Sequence, residues 1–385
     1  MIDLGELAAW LRLLETPRVG RESARRLLAA FGSPEAAIAA SAAARRAVVT
    51  AAAAAALNEP PAGLDALIDA TWAWLNDREE TPANSSSRHV DENAADNVRA
   101  VIALSDPRYP ALLLNTADPP LLLYAQGRLE LLQADAIAIV GSRNPTPQGE
   151  LNARAFATSL AEAGWVVVSG LALGIDGAAH EGALAAGGTG TIAVVGTGLD
   201  RVYPKSHREL AHRITRGGLM LSEYALGTPP VPAHFPLRNR LIAGLTRGTL
   251  VIEAALKSGS LITARLASEA GRDVFAIPGS IHAPQARGCH ALIKQGAKLV
   301  ECAEDVLDEL QPLAAARPRA DAASSDAPAA DPLLDAMGHE LVSIDALVAR
   351  TGWPAHELHI RLLDLELAGQ VARCPGQLFQ RVTAA

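Results

Sequence analysis

The stretch AIAIVGSRNPTPQGELNARAFATSLAEAGWVVVSG, residues 136–170, reads as strand, helix, strand. AIAIV and WVVVS are short continuous apolar runs, and residues 149–163 between them carry a helical pattern. A strand that is apolar on both faces must be covered on both faces, which is the situation of a parallel sheet between helices. The alternation continues with a helix from about Asp176, TIAVV, a helix from about Ser206 and GLMLSE. A helix around residues 237–244, TLVIEA, a helix over 260–270 and DVFAIPG complete it. The pattern predicts an α/β, doubly wound Rossmann-like parallel sheet. In that fold ligands gather where the carboxyl ends of strands meet helix N-termini.

Two polar, low-complexity stretches, residues 76–97 and 312–331, read as linkers. They divide the chain into a helical module at 1–75, a Rossmann-like domain at 98–311 and a C-terminal domain at 332–385. In the first, GELAAWLRLLE is amphipathic, and Gly20 and Gly32 punctuate short helices. This is the pattern of a SAM-like or helix-hairpin-helix module, which either holds DNA phosphates on its turn or simply packs. The last part, with SIDALVARTG, PAHELHIRLLDLELAGQ and the pair VARCPG and QLFQRV, reads as a winged helix. From Asp335 to Ala385 it holds six acids and four bases, and its recognition helix sets Arg361 against Glu357, Asp364 and Glu366. That surface suits a phosphate backbone poorly and a protein contact or dimer support better.

The 385 residues are 49% apolar but only 4% aromatic, so the cores are built from Ala, Leu, Val and Ile. A net charge of -8 argues against a protein that coats itself in nucleic acid or anionic lipid. Residues 232–300 nevertheless hold nine lysines and arginines against three acids, a local +6 that leaves -14 for the remainder. One basic region on an acidic body points to an anionic partner. Three cysteines without CxxC spacing support neither a zinc site nor a disulfide framework and fit a reducing cytoplasm. The N-terminal residues lack a secretion signal's charge pattern, and the Ala-rich run at 48–57 is too short to span a bilayer. No metal, cofactor or membrane is expected.

The motifs follow the strands. After the first comes GSRNPTPQG, where Arg143 stands in place of a dinucleotide fingerprint. With Ser142 it makes an anion seat, or it caps a helix. Asp176, among Gly170, Gly174 and Gly177, suits an N-cap better than catalysis, and His180 reads as structural. Tyr203, Lys205 and His207 meet an anion or a base, or form a surface turn. Phe235, followed by Arg238, Asn239 and Arg240, suits a stacked base with its flanking phosphates. Lys257, Ser258, Gly259 and Ser260 open a helix after TLVIEA, where small residues let amides reach a phosphate. No HExxH, P-loop or nucleophile elbow is present, and Glu223 and Glu253 suit the positioning of a neighbouring base better than catalysis.

The segments AIVGSR, VVSGLALGIDGAAHEGAL, VVGTGLDRVYP, HFPLRNRLIAGL, VIEAALKSGSLITARLA, VFAIPG and LIKQGA resemble, in order, the DNA-processing protein A family, DprA or Smf. The resemblance implies a homodimeric, non-enzymatic protein that binds single-stranded DNA. It also implies protection of incoming strands during natural transformation and loading of the RecA recombinase. Carried over, the DNA-binding residues are Ser142, Arg143, Phe235, Arg238, Asn239, Arg240, Lys257, Ser258, Gly259 and Ser260. Two rivals stand beside this reading. One is a nucleoside-monophosphate phosphoribohydrolase of the lysine decarboxylase-like group, whose pattern puts an essential Glu where this chain has Thr263. The other is a duplex-DNA regulator working through the winged helix.

Overall fold

The computed structural model describes residues 2–77, 98–310, 331–338 and 341–382. The two expected linkers lie outside these residues except at their edges. Asn76 ends the helix Leu64–Asn76, and Asp331 caps the helix Pro332–Met337 by accepting from the Leu333 amide at 2.8 Å. The chain forms two compact units, Met1–Ala134 with Gly190–Leu245, and Asp135–Thr189 with Thr246–Ala385.

In the first unit, short N-terminal helices start where hydroxyl or carboxylate side chains satisfy their first amides. Asp3 caps Leu4–Glu15, Ser33 caps Pro34–Ala39, Ser41 caps Ala42–Arg46 and Thr50 caps Ala51–Ala56. The apolar faces of these helices and of Arg21–Phe31, with Leu7, Leu11, Leu27 and Leu57 fully buried, share one core with Val101, Leu122 and Tyr124. The helical module at 1–75 is therefore packed onto strands β1 (Arg99–Ala103) and β2 (Leu122–Gly127).

The strands continue with β3 (Ala136–Val140), β4 (Val166–Ser169), β5 (Thr191–Val194), β6 (Leu219–Ser222), β7 (Gly248–Val251), β8 (Asp273–Ala276) and β9 (Lys298–Leu299). Within the first unit the order is β1-β2-β6-β5, where β5 and β6 are parallel and β2 is antiparallel to both β1 and β6. Within the second, the order is β4-β3-β7-β8-β9, with these neighbours paired in parallel. The fold is thus Rossmann-like with a mixed sheet, where the sequence reading expected a parallel one. The difference comes from β1 and β2.

The second unit's core brings together Ile137, Ile139, Val167, Leu250 and Phe275 from the strands with Phe156, Leu160 and Ile175 from the helices Pro147–Glu162 and Ile175–Ala185. The winged helix has its own core around Leu333, Leu347, Leu358, Leu362 and Phe379. Its strands are β10 (Val342–Ser343), β11 (Val371–Cys374) and β12 (Leu378–Arg381), in the order β10-β12-β11.

Candidate nucleic-acid interface

In the second unit, the turn after β3 is held from below. The Thr146 amide and hydroxyl donate to the Glu253 carboxylate at 2.9 and 2.6 Å, and Thr146 Oγ1 in turn accepts from the Gly149 amide at 3.0 Å to cap Pro147–Glu162. Glu253 thus positions the turn through a threonine, where the sequence suggested a neighbouring base. Burial pushes its carboxyl above the usual range, against the two hydrogen bonds from Thr146. The other side of the turn meets Gly174, at φ 77°, where a Cβ would lie 2.5 Å from the Ser142 carbonyl oxygen. Ser142 Oγ accepts from the Asn144 amide at 3.1 Å, and the turn presents an exposed Arg143.

The loop after β4 corrects the reading of Asp176. The helix Ile175–Ala185 is capped by Gly174, and Asp176 lies inside its first turn. Its buried carboxylate accepts from the amides of Gly170 and Ala172, at 3.2 and 3.3 Å, and so ties down the loop that enters the helix. His180 is fully buried and accepts from the Leu171 amide at 3.3 Å, a structural role as expected.

After β7, Lys257 is exposed, Ser258 and Ser260 share a hydroxyl contact of 2.7 Å, and the helix Ser260–Glu269 begins. Gly259 precedes this helix with φ -62° and ψ -24°, and a Cβ built on it would find nothing within 4 Å. Neither backbone conformation nor internal crowding requires glycine there.

In the first unit, the helix His234–Gly244 begins beside Gly196. His234 Nδ1 lies 3.2 Å from the Gly196 carbonyl oxygen, and the ring stacks on Tyr224 with centroids 4.1 Å apart. Phe235 is half-buried, and its ring centroid lies 5.4 Å from that of Tyr203, which is 48% exposed. The sequence had Tyr203 and Phe235 as separate candidates; the fold makes them a pair.

Arg238, Asn239 and Arg240 are placed differently from the expected phosphate contacts. Arg238 is 4% exposed and donates to the Val194 carbonyl and to Asn239 Oδ1, so its guanidinium holds the helix to the end of β5. Asn239 is buried alongside it. Arg240 pairs with Glu223 and lies 3.4 Å from Asp118. Arg21 reaches Asp118 at 2.9 Å and Glu223 at 3.4 Å, and Arg25 reaches Asp118 at 2.6 Å. Three guanidinium groups around two carboxylates join the N-terminal helices to the loop after β6. Burial pushes the Glu223 carboxyl up, opposed by Arg240 and Arg21, and pulls Arg240 down.

The local +6 is also answered by acids from elsewhere. Arg247 pairs with Asp135 at 2.7 Å and Lys298 with Glu309, both acids outside that window, while Arg265 pairs with Glu269 inside it at 3.4 Å. Among the described residues, no metal-holding cluster of His, Cys, Asp and Glu occurs, and no helix is long and apolar enough to cross a membrane.

These strand ends define a Rossmann-like α/β protein that carries an arginine in its first strand-to-helix turn where a dinucleotide-binding protein carries glycines. The chain belongs to the DNA recombination-mediator protein A family, the DprA/Smf proteins, whose model matches residues 100–311. The DprA-like N-terminal HHH domain matches residues 5–62 and the DprA winged helix domain residues 317–377. Protein Smf of Escherichia coli (strain K12) is 45% identical over 276 residues, covering 70% of this chain and 74% of that protein. The crystal structure of DNA processing protein A from Streptococcus pneumoniae is similar at a TM-score of 0.66 and 36% identity, over 79% of this chain and 98% of that one. DNA processing protein A from Helicobacter pylori, solved for its single-stranded DNA binding mode, is similar at a TM-score of 0.50 and 32% identity, over 55% of this chain and 95% of that one.

Proposed function

We propose that this chain binds single-stranded DNA, protects it during natural transformation and recombination, and loads the RecA recombinase onto it. In this reading it acts as a cytoplasmic homodimer and not as an enzyme. The observation that carries the reading is Gly259, at the start of a helix between Ser258 and Ser260 and two residues after Lys257, where an added Cβ would find open space among the described residues. The exposed Lys257 ammonium and the Ser258 hydroxyl attract a phosphate, and a missing Cβ lets one come close. Ser142 and Arg143 supply a second seat, and the Tyr203–Phe235 pair supplies a face for a base. Arg238, Asn239 and Arg240 serve from inside, by fixing the helix that carries Phe235.

Purified protein titrated with labelled strands at several salt concentrations tests the reading. Single strands should bind more tightly than a matched duplex without nucleotide triphosphate or metal, with a slope of log affinity against log salt of about -0.7 per phosphate neutralised. Equal or tighter duplex binding would sink it. Hydrolysis of nucleoside monophosphates by the same preparation would favour the phosphoribohydrolase instead, although buried Thr263 offers no carboxylate for that chemistry. Faster RecA filament formation on strands coated with the protein tests the loading step.

Tyr203→Ala separates stacking from charge. Because the ring is about half exposed, the melting temperature should change little. Affinity for single strands should fall by about 1–3 kcal/mol if one base stacks there, with the salt slope unchanged. Unchanged affinity removes the aromatic pair from the site.

A further inference from the structure

The helix Ala355–Leu367 of the winged helix has two apolar faces. One turns Leu358, Leu362 and Leu365 into the domain's core. At 3.6 residues per turn, His356, Ile360, Leu363 and Leu367 fall together on the opposite side, at successive spacings of four, three and four. The three apolar side chains among them are 61%, 55% and 81% exposed. A surface helix of a globular protein carries polar residues on the side away from its core. Apolar residues at this spacing on the outer side instead form the seam by which one helix packs against another. Large apolar side chains gathered at one exposed place mark contact with another molecule.

Charge selects the occupant. Asp364 borders the stripe on one side and Glu366 on the other; both are exposed, and among the described residues neither has an ion-pair partner. Arg361 is the one arginine or lysine of the helix and lies off the stripe. Its guanidinium is 3.6 Å from Glu357 and 4.4 Å from the centroid of the Trp353 ring, so it is already engaged. A phosphate backbone or an anionic lipid surface would meet uncompensated acids here. A second copy of the helix would bring its own Asp364 and Glu366 to the seam, where like charges disfavour pairing. A helix with the same apolar spacing and lysines or arginines beside it answers both the stripe and its acids.

We propose that this face docks a basic amphipathic helix of a partner protein. Ile360, Leu363 and Leu367 are the apolar anchors, and Asp364 and Glu366 are the charges that choose the partner. The proposal does not rest on the strand-binding reading.

Fluorescence anisotropy of a labelled synthetic helix added to the full-length protein tests it. The probe carries leucine at the a and d positions of three heptads and lysine at e and g; a second peptide has glutamate in place of every lysine. The lysine peptide should bind saturably, and at least tenfold more tightly than the glutamate peptide. Leu363→Ser with Leu367→Ser keeps every charge and changes only exposed side chains. It should leave the melting temperature little changed and weaken the lysine peptide at least tenfold. Asp364→Lys with Glu366→Lys keeps the stripe and should reverse the preference between the peptides. Unchanged binding in the folded serine variant would show that general acidity holds the peptide, and would overturn the proposal. A lower molar mass of the serine variant in sedimentation equilibrium would assign the stripe to a second copy. A fall in its affinity for single strands or duplex would assign the stripe to DNA, and either result would overturn the proposal as well. Failure of the wild-type protein to bind the lysine peptide, in a preparation that still binds strands, would overturn this proposal alone.

Discussion

Arg240→Ala is expected to destabilise the fold by about 3–5 kcal/mol, the usual consequence of removing one partner from a buried ion pair. The Arg240 and Glu223 side chains are 13% and 7% exposed, so water cannot replace the lost partner. Among the described residues, Glu223 would keep Arg21 alone as an ion-pair partner, at 3.4 Å. At roughly 2–4 °C per kcal/mol for domains of 150–250 residues, the melting temperature should fall by roughly 6–20 °C. The loss should also depend on pH. Burial already raises the Glu223 carboxyl, and Arg240 is the first of the groups that oppose the rise. Without Arg240, Glu223 holds its proton to still higher pH. A carboxyl raised on folding gives a contribution that is complete below its unfolded value, about 4.3, and is lost as pH rises through its folded value. The variant should therefore lie closest to wild type near pH 5 and farthest from it at pH 7–8. Thermal melts across that range check this, alongside Arg240→Met with Glu223→Leu, which removes both charges and should recover much of the stability. A loss under about 1 kcal/mol, combined with a collapse of strand affinity, would return Arg240 to the DNA surface.

This reassignment marks where the sequence stopped being legible. The strands of the second unit could be read because they are buried on both faces, as the unbroken AIAIV and VVVS show. Helix starts fell within a few residues of their observed positions, since glycine, proline and hydroxyl residues act on their own neighbours. For the same reason Arg143 and Gly259 could be placed at strand ends. The charge excess misled because ion pairs form across space. Arg240 finds Asp118, Arg247 finds Asp135, and Lys298 finds Glu309, all acids outside the basic window. Asp118 sits in NTADPPLL, which carries no local signal of a role. Likewise, β1 and β2 are short apolar runs without an intervening long helix, and their direction follows from pairing with each other and with β6.

Gly259→Glu should separate folding from binding more sharply than any arginine variant. The position has helical backbone angles and nothing within 4 Å of an added Cβ, so a side chain enters without strain. Leaving glycine lowers the entropy of the unfolded chain, and an acid at a helix start gains about 0.3–1 kcal/mol from the helix dipole. The melting temperature should therefore hold or rise. In the proposed complex that same space belongs to a phosphate. The new carboxylate would occupy the seat and compete for the Lys257 and Ser258 donors, as well as repel the strand. Losing a hydrogen bond to a charged group costs about 1.5–3 kcal/mol, so single-strand affinity should fall roughly 10- to 150-fold. Repulsion adds to this at low salt and is screened as salt rises. Gly259→Ala, which adds one methyl group and no charge, should lose much less. Equilibrium titrations of both variants, alongside their thermal melts, provide the check. A Gly259→Glu protein that is folded and binds single strands as wild type does would show that no phosphate sits at this helix start, and the strand would have to be held elsewhere.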